Sequence, residues 1–264
     1  MMSGPAYGSC GLDHCPIVLP ATEESGQSSL GIRLKLQTRF TTFHLKGRSG
    51  SYGELFLGGE YRGLKQWIFG GNVPLVVLMA NQRVNGGVGN GVLYGEWHPV
   101  YGAKGTLGVG IQLELPWGSR NGISDAHWVV LPYINMHIPF WRLYLMVNVG
   151  YSQSVGWEKD SETPGASHVH DGQDFVFLGV HELGEFVYRV ALGVPDWGTR
   201  FQPMLMLNGQ QVVVGEEPRS YAHVGFQLLT QCTDRLSLRW SAEVPLTRPS
   251  RHNGRVNVAL VADF

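Results

Sequence analysis

From Leu30 to Phe264 the chain alternates apolar and polar residues in run after run, with a period of two. That period sends successive side chains to opposite faces of a strand, whereas a helix repeats every ~3.6 residues. In the first run Ile32, Leu34, Leu36 and Phe40 share one face, and Arg33, Lys35, Gln37 and Arg39 share the other. The final run sets Val256, Val258, Leu260, Ala262 and Phe264 against Arg255, Asn257 and Asp263. Leu236, Leu238, Trp240, Ala242 and Val244 likewise oppose Ser237, Arg239, Ser241 and Glu243, while Leu107, Val109, Ile111, Leu113 and Leu115 oppose Gly108, Gly110, Gln112 and Glu114.

The pattern predicts about twelve strands, near 30–43, 53–63, 67–82, 89–98, 105–116, 126–138, 141–154, 181–193, 199–212, 219–230, 235–246 and 254–264. Each is close to the ~9 to 11 residues that a tilted strand needs to cross a bilayer. Link lengths alternate too. Every second link is tight: Gly63 to Gln66, Pro99 to Lys104, Pro139-Phe140, Pro195 to Gly198 and Gln231 to Asp234. The intervening ones are longer: His44 to Tyr52, Arg83 to Val88, Trp117 to Asp125, Val155 to Val180, Val213 to Pro218 and Thr247 to Asn253. Short turns on one side and longer loops on the other are the habit of outer-membrane barrels, and an even strand number puts both chain ends on the short-turn, periplasmic side.

Apolar residues make up 43 % of the chain and charged residues 16 %, without an uninterrupted apolar run of the ~18 residues a membrane helix needs. A helical membrane protein is excluded. The predicted fold is therefore all-β: a closed up-and-down antiparallel transmembrane β-barrel over residues 30–264. Ahead of it, residues 1–29 are rich in Gly, Ser and Pro and read as an irregular segment, periplasmic or plugging the lumen. A soluble sandwich with one buried face also alternates, but it has to bury about twelve long apolar faces in one core. Trp67, Trp97, Trp141 and Trp197 fall near the predicted tight turns, and Trp117, Trp128 and Trp157 near the longer loops, as in aromatic girdles at two interfaces. Met1 to Ser9 lack a basic region followed by an apolar stretch, so a barrel is expected to have had its secretory signal removed; the doubled Met1-Met2 fits a replacement start. A signal-free cytosolic protein is the competing reading. The net charge of −1, with scattered Arg and Glu, points to no nucleic-acid partner.

The closing residues 255–264, RVNVALVADF, resemble the C-terminal signature of bacterial outer-membrane proteins, an alternating strand ending in an aromatic residue. ELFLGGEYR (54–62), GNGVLYGEW (89–97), GIQLELPWG (110–118) and LSLRWSAEVPL (236–246) resemble a family of small transporter barrels, some of the MetA-pathway type of phenol degradation. The resemblance covers most of residues 30–264. It implies an outer-membrane location, lipid as surroundings, recognition of the last strand by the barrel assembly machinery, and passage of a small solute. Its motifs are strand patterns, so they do not name that solute.

Alternation assigns Arg33, Lys35, Arg39, Glu60, Arg62, Glu96, Glu114, Arg142, Arg189, Arg239 and Glu243 to the inward face. Two readings follow: a polar channel lining that selects a solute, or a paired network filling a narrow lumen. Cys10, His14 and Cys15 bring two thiols and an imidazole within six residues, a set suited to a soft or borderline transition metal. Cys10 and Cys15 also lie close enough for a local disulfide, leaving Cys232 alone. Folding of this segment into the lumen as a plug is a third reading. The longest outer loop carries His168, His170, His181, Glu182 and Glu185, a set open to surface metal or to plain solvation. Met204 and Met206 fall on the inward face with Gln202 and Asn208, where thioethers fill gaps or bind copper. Ser124 and His127 are near each other without a third member or a nucleophile motif, so the sequence is not read as an enzyme. No resident cofactor is expected. The function expected from sequence is a small-solute channel, with a metal-capturing or partner-docking N-terminal segment as the alternative and an outer-membrane enzyme as a second one.

Overall fold

The structure, a computed structural model, describes residues 31–45, 48–64, 66–80, 83–102, 105–117, 128–155, 184–194, 201–214, 220–247 and 252–264. They form β1 (Ile32–Leu45), β2 (Arg48–Leu64), β3 (Trp67–Ala80), β4 (Arg83–Val88), β5 (Gly91–Gly102), β6 (Gly105–Leu115) and β7 (Trp128–Phe140). The chain continues through β8 (Leu143–Val155), β9 (Gly184–Gly193), β10 (Phe201–Val214), β11 (Ser220–Thr233), β12 (Leu236–Pro245) and β13 (Gly254–Asp263). All strand pairs are antiparallel, and the sheet closes on itself. At the seam, Arg33 to Thr42 of β1 pair with Asp263 to Gly254 of β13. Ile32 and Phe264 exchange N–H to C=O hydrogen bonds of 3.2 and 2.9 Å across it.

The thirteen strands occupy twelve places around the ring. Leu75 to Ala80 of β3 pair with β4, and Trp67 to Asn72 of the same strand pair with β5. β4 and β5 are thus one strand interrupted by Gly89-Asn90. Pro74 explains the break: it has no N–H for the ladder, and three residues, 89 to 91, face two, 73 and 74. The Gly89 N–H still reaches the Pro74 carbonyl at 2.8 Å.

This corrects the expected links. Arg83 to Val88 is a strand, and His44-Leu45 and Arg48 to Tyr52 continue β1 and β2 into a hairpin paired to Leu45↔Arg48. Polar and glycine-rich stretches hide such extensions, because a neighbouring strand stabilises them through backbone pairing rather than through side-chain pattern. Pro139 and Phe140 lie in β7, and the turn falls instead at Trp141-Arg142, where Trp141 adopts φ 55°.

The two faces of the sheet differ throughout. Ile32, Leu34, Leu36, Phe69, Ile111, Ile134, Leu205 and Leu260 are exposed on the outside. Arg39, Glu96, Gln112, Glu185, Gln227 and Glu243 are buried on the inside. Three glycines make room for inward tyrosines directly across the ladder: Gly70 for Tyr94, Gly110 for Tyr133 and Gly193 for Tyr144. A Cβ at any of them would run into the facing ring. At these three positions glycine is a packing device, one small residue beneath each ring.

Candidate functional site: the barrel interior

The inward face begins with ion pairs set by register. Arg33 Nε and Nη2 donate to the two carboxylate oxygens of Asp263 at 2.6 and 3.1 Å, across the seam, and Arg33 Nη1 lies 3.7 Å from Glu60. Glu60 also accepts from Arg62 Nη2 at 3.2 Å. Glu54 pairs with Arg39 through a fork, with Nη2 donating to Oε1 at 2.7 Å and Nε to Oε2; the Arg39 side chain is fully buried and its guanidinium lies 4.6 Å over the Phe56 ring. Glu54 is missing from the inward set drawn from sequence, and the parity it shares with Glu60 and Arg62 is the signal that finds it. Its partner Arg39 follows from register, which the sequence does not print.

A second cluster centres on Glu96. Its carboxylate accepts from Tyr133 Oη at 2.9 Å and Asn135 Nδ2 at 2.8 Å, while His98 Nε2 lies 3.0 Å from its other oxygen. Asn135 in turn accepts from Asn148 Nδ2. Glu114 accepts from Asn90 Nδ2 at 2.9 Å, at the break in the fourth place of the ring. These contacts give the buried carboxylates hydrogen-bond donors from neighbouring strands, as buried polar groups require.

Facing a third region, Lys35, Arg189, Arg239 and Glu243 line one cavity of about 30 Å³ together with Gln37, Gln227, Ser241, Asn257 and Met206. Arg189 Nε donates to Asn208 Oδ1 at 2.8 Å. Met204 and Met206 are buried, packed with Tyr144 and Ala191.

Arg142 departs from its expected place. It lies exposed in the β7–β8 turn with its guanidinium 6.0 Å over the Trp141 ring, because the turn takes residues 141 and 142 and leaves no strand parity there. Glu185, grouped with the outer-loop residues but inside the expected strand 181–193, is buried in β9. Cys10, His14, Cys15, Ser124, His127, His168, His170, His181, Glu182, Trp157 and Trp197 lie outside the described residues. Among the described residues no three His, Cys, Asp or Glu side chains are grouped to hold a metal, and Cys232 is exposed, its thiol 3.9 Å from the Thr230 carbonyl oxygen.

Trp67 and Trp97 stack with ring centroids 6.2 Å apart on the outer surface near the tight-turn end, and Trp141 is exposed at that end too. A closed ring of strands with an apolar exterior, aromatic residues at its rim and a hydrogen-bonded polar interior is a transmembrane β-barrel of the outer-membrane type. The chain is similar in structure to an outer membrane channel from Pseudomonas putida F1, with a TM-score of 0.65 at 13 % identity over 89 % of this chain and 96 % of that one. It is similar also to the NanC porin (TM-score 0.54, 10 % identity, 88 % and 98 % covered) and to the KdgM porin (0.52, 8 %, 88 % and 99 %). No family model matches the sequence, and no curated protein matches it.

Proposed function

We propose that the protein is an outer-membrane channel for a small polar solute. The observation that carries this reading is the pairing of a lipid-compatible outer face with an inner face of charged and amide side chains, closed into a twelve-place ring. Twelve places lie between barrels of ~8 strands, which side chains fill, and those of ~16, which hold a water channel. A narrow, selective passage suits that size. The likeness to a channel and two porins supports the reading at the level of fold.

Refolded protein in planar bilayers and in liposome-swelling assays tests it. Discrete conductance steps, and swelling with small solutes but not large ones, are expected. Silence in both assays would sink the channel and make a scaffold for a partner the better account.

A further inference from the structure

Resting on the channel reading, we infer that Lys35, Arg189 and Arg239 form an anion-binding station in the lumen, so that the solute is a small anion of carboxylate size. Glu54, Glu60 and Asp263 are engaged by Arg39, Arg33 and Arg62. Arg239 is not served by them. Its cross-strand neighbours are Leu229 and Ala259, and among the described residues no carboxylate lies within ion-pairing distance of its guanidinium.

The cavity it lines therefore holds three cations and one carboxylate, Glu243. Glu243 sits four residues further along β12, roughly 13 Å by strand rise, and faces Arg255 of β13 in register. Three buried polar atoms of the lining carry no hydrogen bond within the protein: Arg239 Nε, Gln227 Nε2 and Asn257 Oδ1. Two of the three are donors. A half-buried guanidinium whose buried Nε has no acceptor, beside an unanswered amide donor, is satisfied by an anionic acceptor from outside the chain. The cavity volume of about 30 Å³ exceeds the ~10 to 15 Å³ that one water occupies on this measure, so a chloride ion or a carboxylate group fits. The planar guanidinium of Arg239, with Arg189 nearby, favours the planar, two-oxygen geometry of a carboxylate.

The test is the reversal potential of the reconstituted channel in a potassium chloride gradient, and then with acetate replacing chloride, for the parent protein and two variants. The parent should prefer chloride and acetate over potassium. Arg239→Gln should lower the anion-to-cation permeability ratio by about threefold or more, Arg239→Lys should restore most of it, and Glu243→Gln should raise it. Opposite shifts from two substitutions on one strand do not arise from general misfolding. A conducting channel that prefers potassium, or whose ratio is unmoved by both Arg239→Gln and Glu243→Gln, overturns the anion station while leaving the channel standing. A protein without conductance overturns both.

Discussion

Leu260 is exposed on β13, while Ala259 and Val261 on either side of it are buried, and its cross-strand neighbours Leu36 and Leu238 are exposed as well. Three leucines abreast on a surface are tolerable only if lipid covers them. Leu260→Arg should therefore cost about 2 to 4 kcal/mol near the bilayer midplane. Asn257→Arg, on the inward face of the same strand, should cost less. Reversible folding into lipid vesicles measures both, and equal penalties would mean that the assigned faces are wrong. Alternation made these faces legible in the sequence, residue by residue. Partnerships were not legible. Arg33 meets Asp263 across 230 positions and Arg39 meets Glu54 across fifteen, because closure and hairpin register choose them. Arg142 misled because parity has no meaning inside a two-residue turn.

At the scale of elements, the clearest departure from the expected pattern is the interrupted strand β4–β5. NGGVGN, residues 85–90, has the composition of a loop, and one valine in six gives little apolar signal. The segment is nevertheless held, by pairing to β3, by the Gly89 hydrogen bond and by Asn90 against Glu114. Asn90→Asp replaces that amide donor with a second carboxylate beside a buried one. Repulsion and lost solvation should destabilise the barrel by about 1 to 3 kcal/mol at neutral pH, with much of the loss recovered by also making Glu114→Gln. Urea titration of the vesicle-embedded barrel reads both changes; an Asn90→Asp midpoint equal to the parent's would show that the Asn90–Glu114 contact contributes nothing. The other strands lie within a few residues of where alternation put them, since each has one face for lipid and one for the interior.

For the whole molecule, residues 1–29 lie outside the described residues, and the sequence-based expectation that they plug the lumen has a direct test. Their removal should raise single-channel conductance or solute flux, and Cys10→Ser with Cys15→Ser should change metal titration if the segment captures metal instead. Unchanged flux after the deletion would remove it from any gating role. The seam has a different consequence. β1 has β13 as its second neighbour, and the Arg33–Asp263 contact joins residues 230 apart. Closing so long a loop costs about 5 kcal/mol of chain entropy before the final ladder returns it. A ribosome delivers β13 long after β1, so throughout synthesis the first strand carries an open edge with no native mate, the kind of edge that aggregates. Without β13 that edge stays open, and a holding chaperone should be needed most by a chain that lacks only β13.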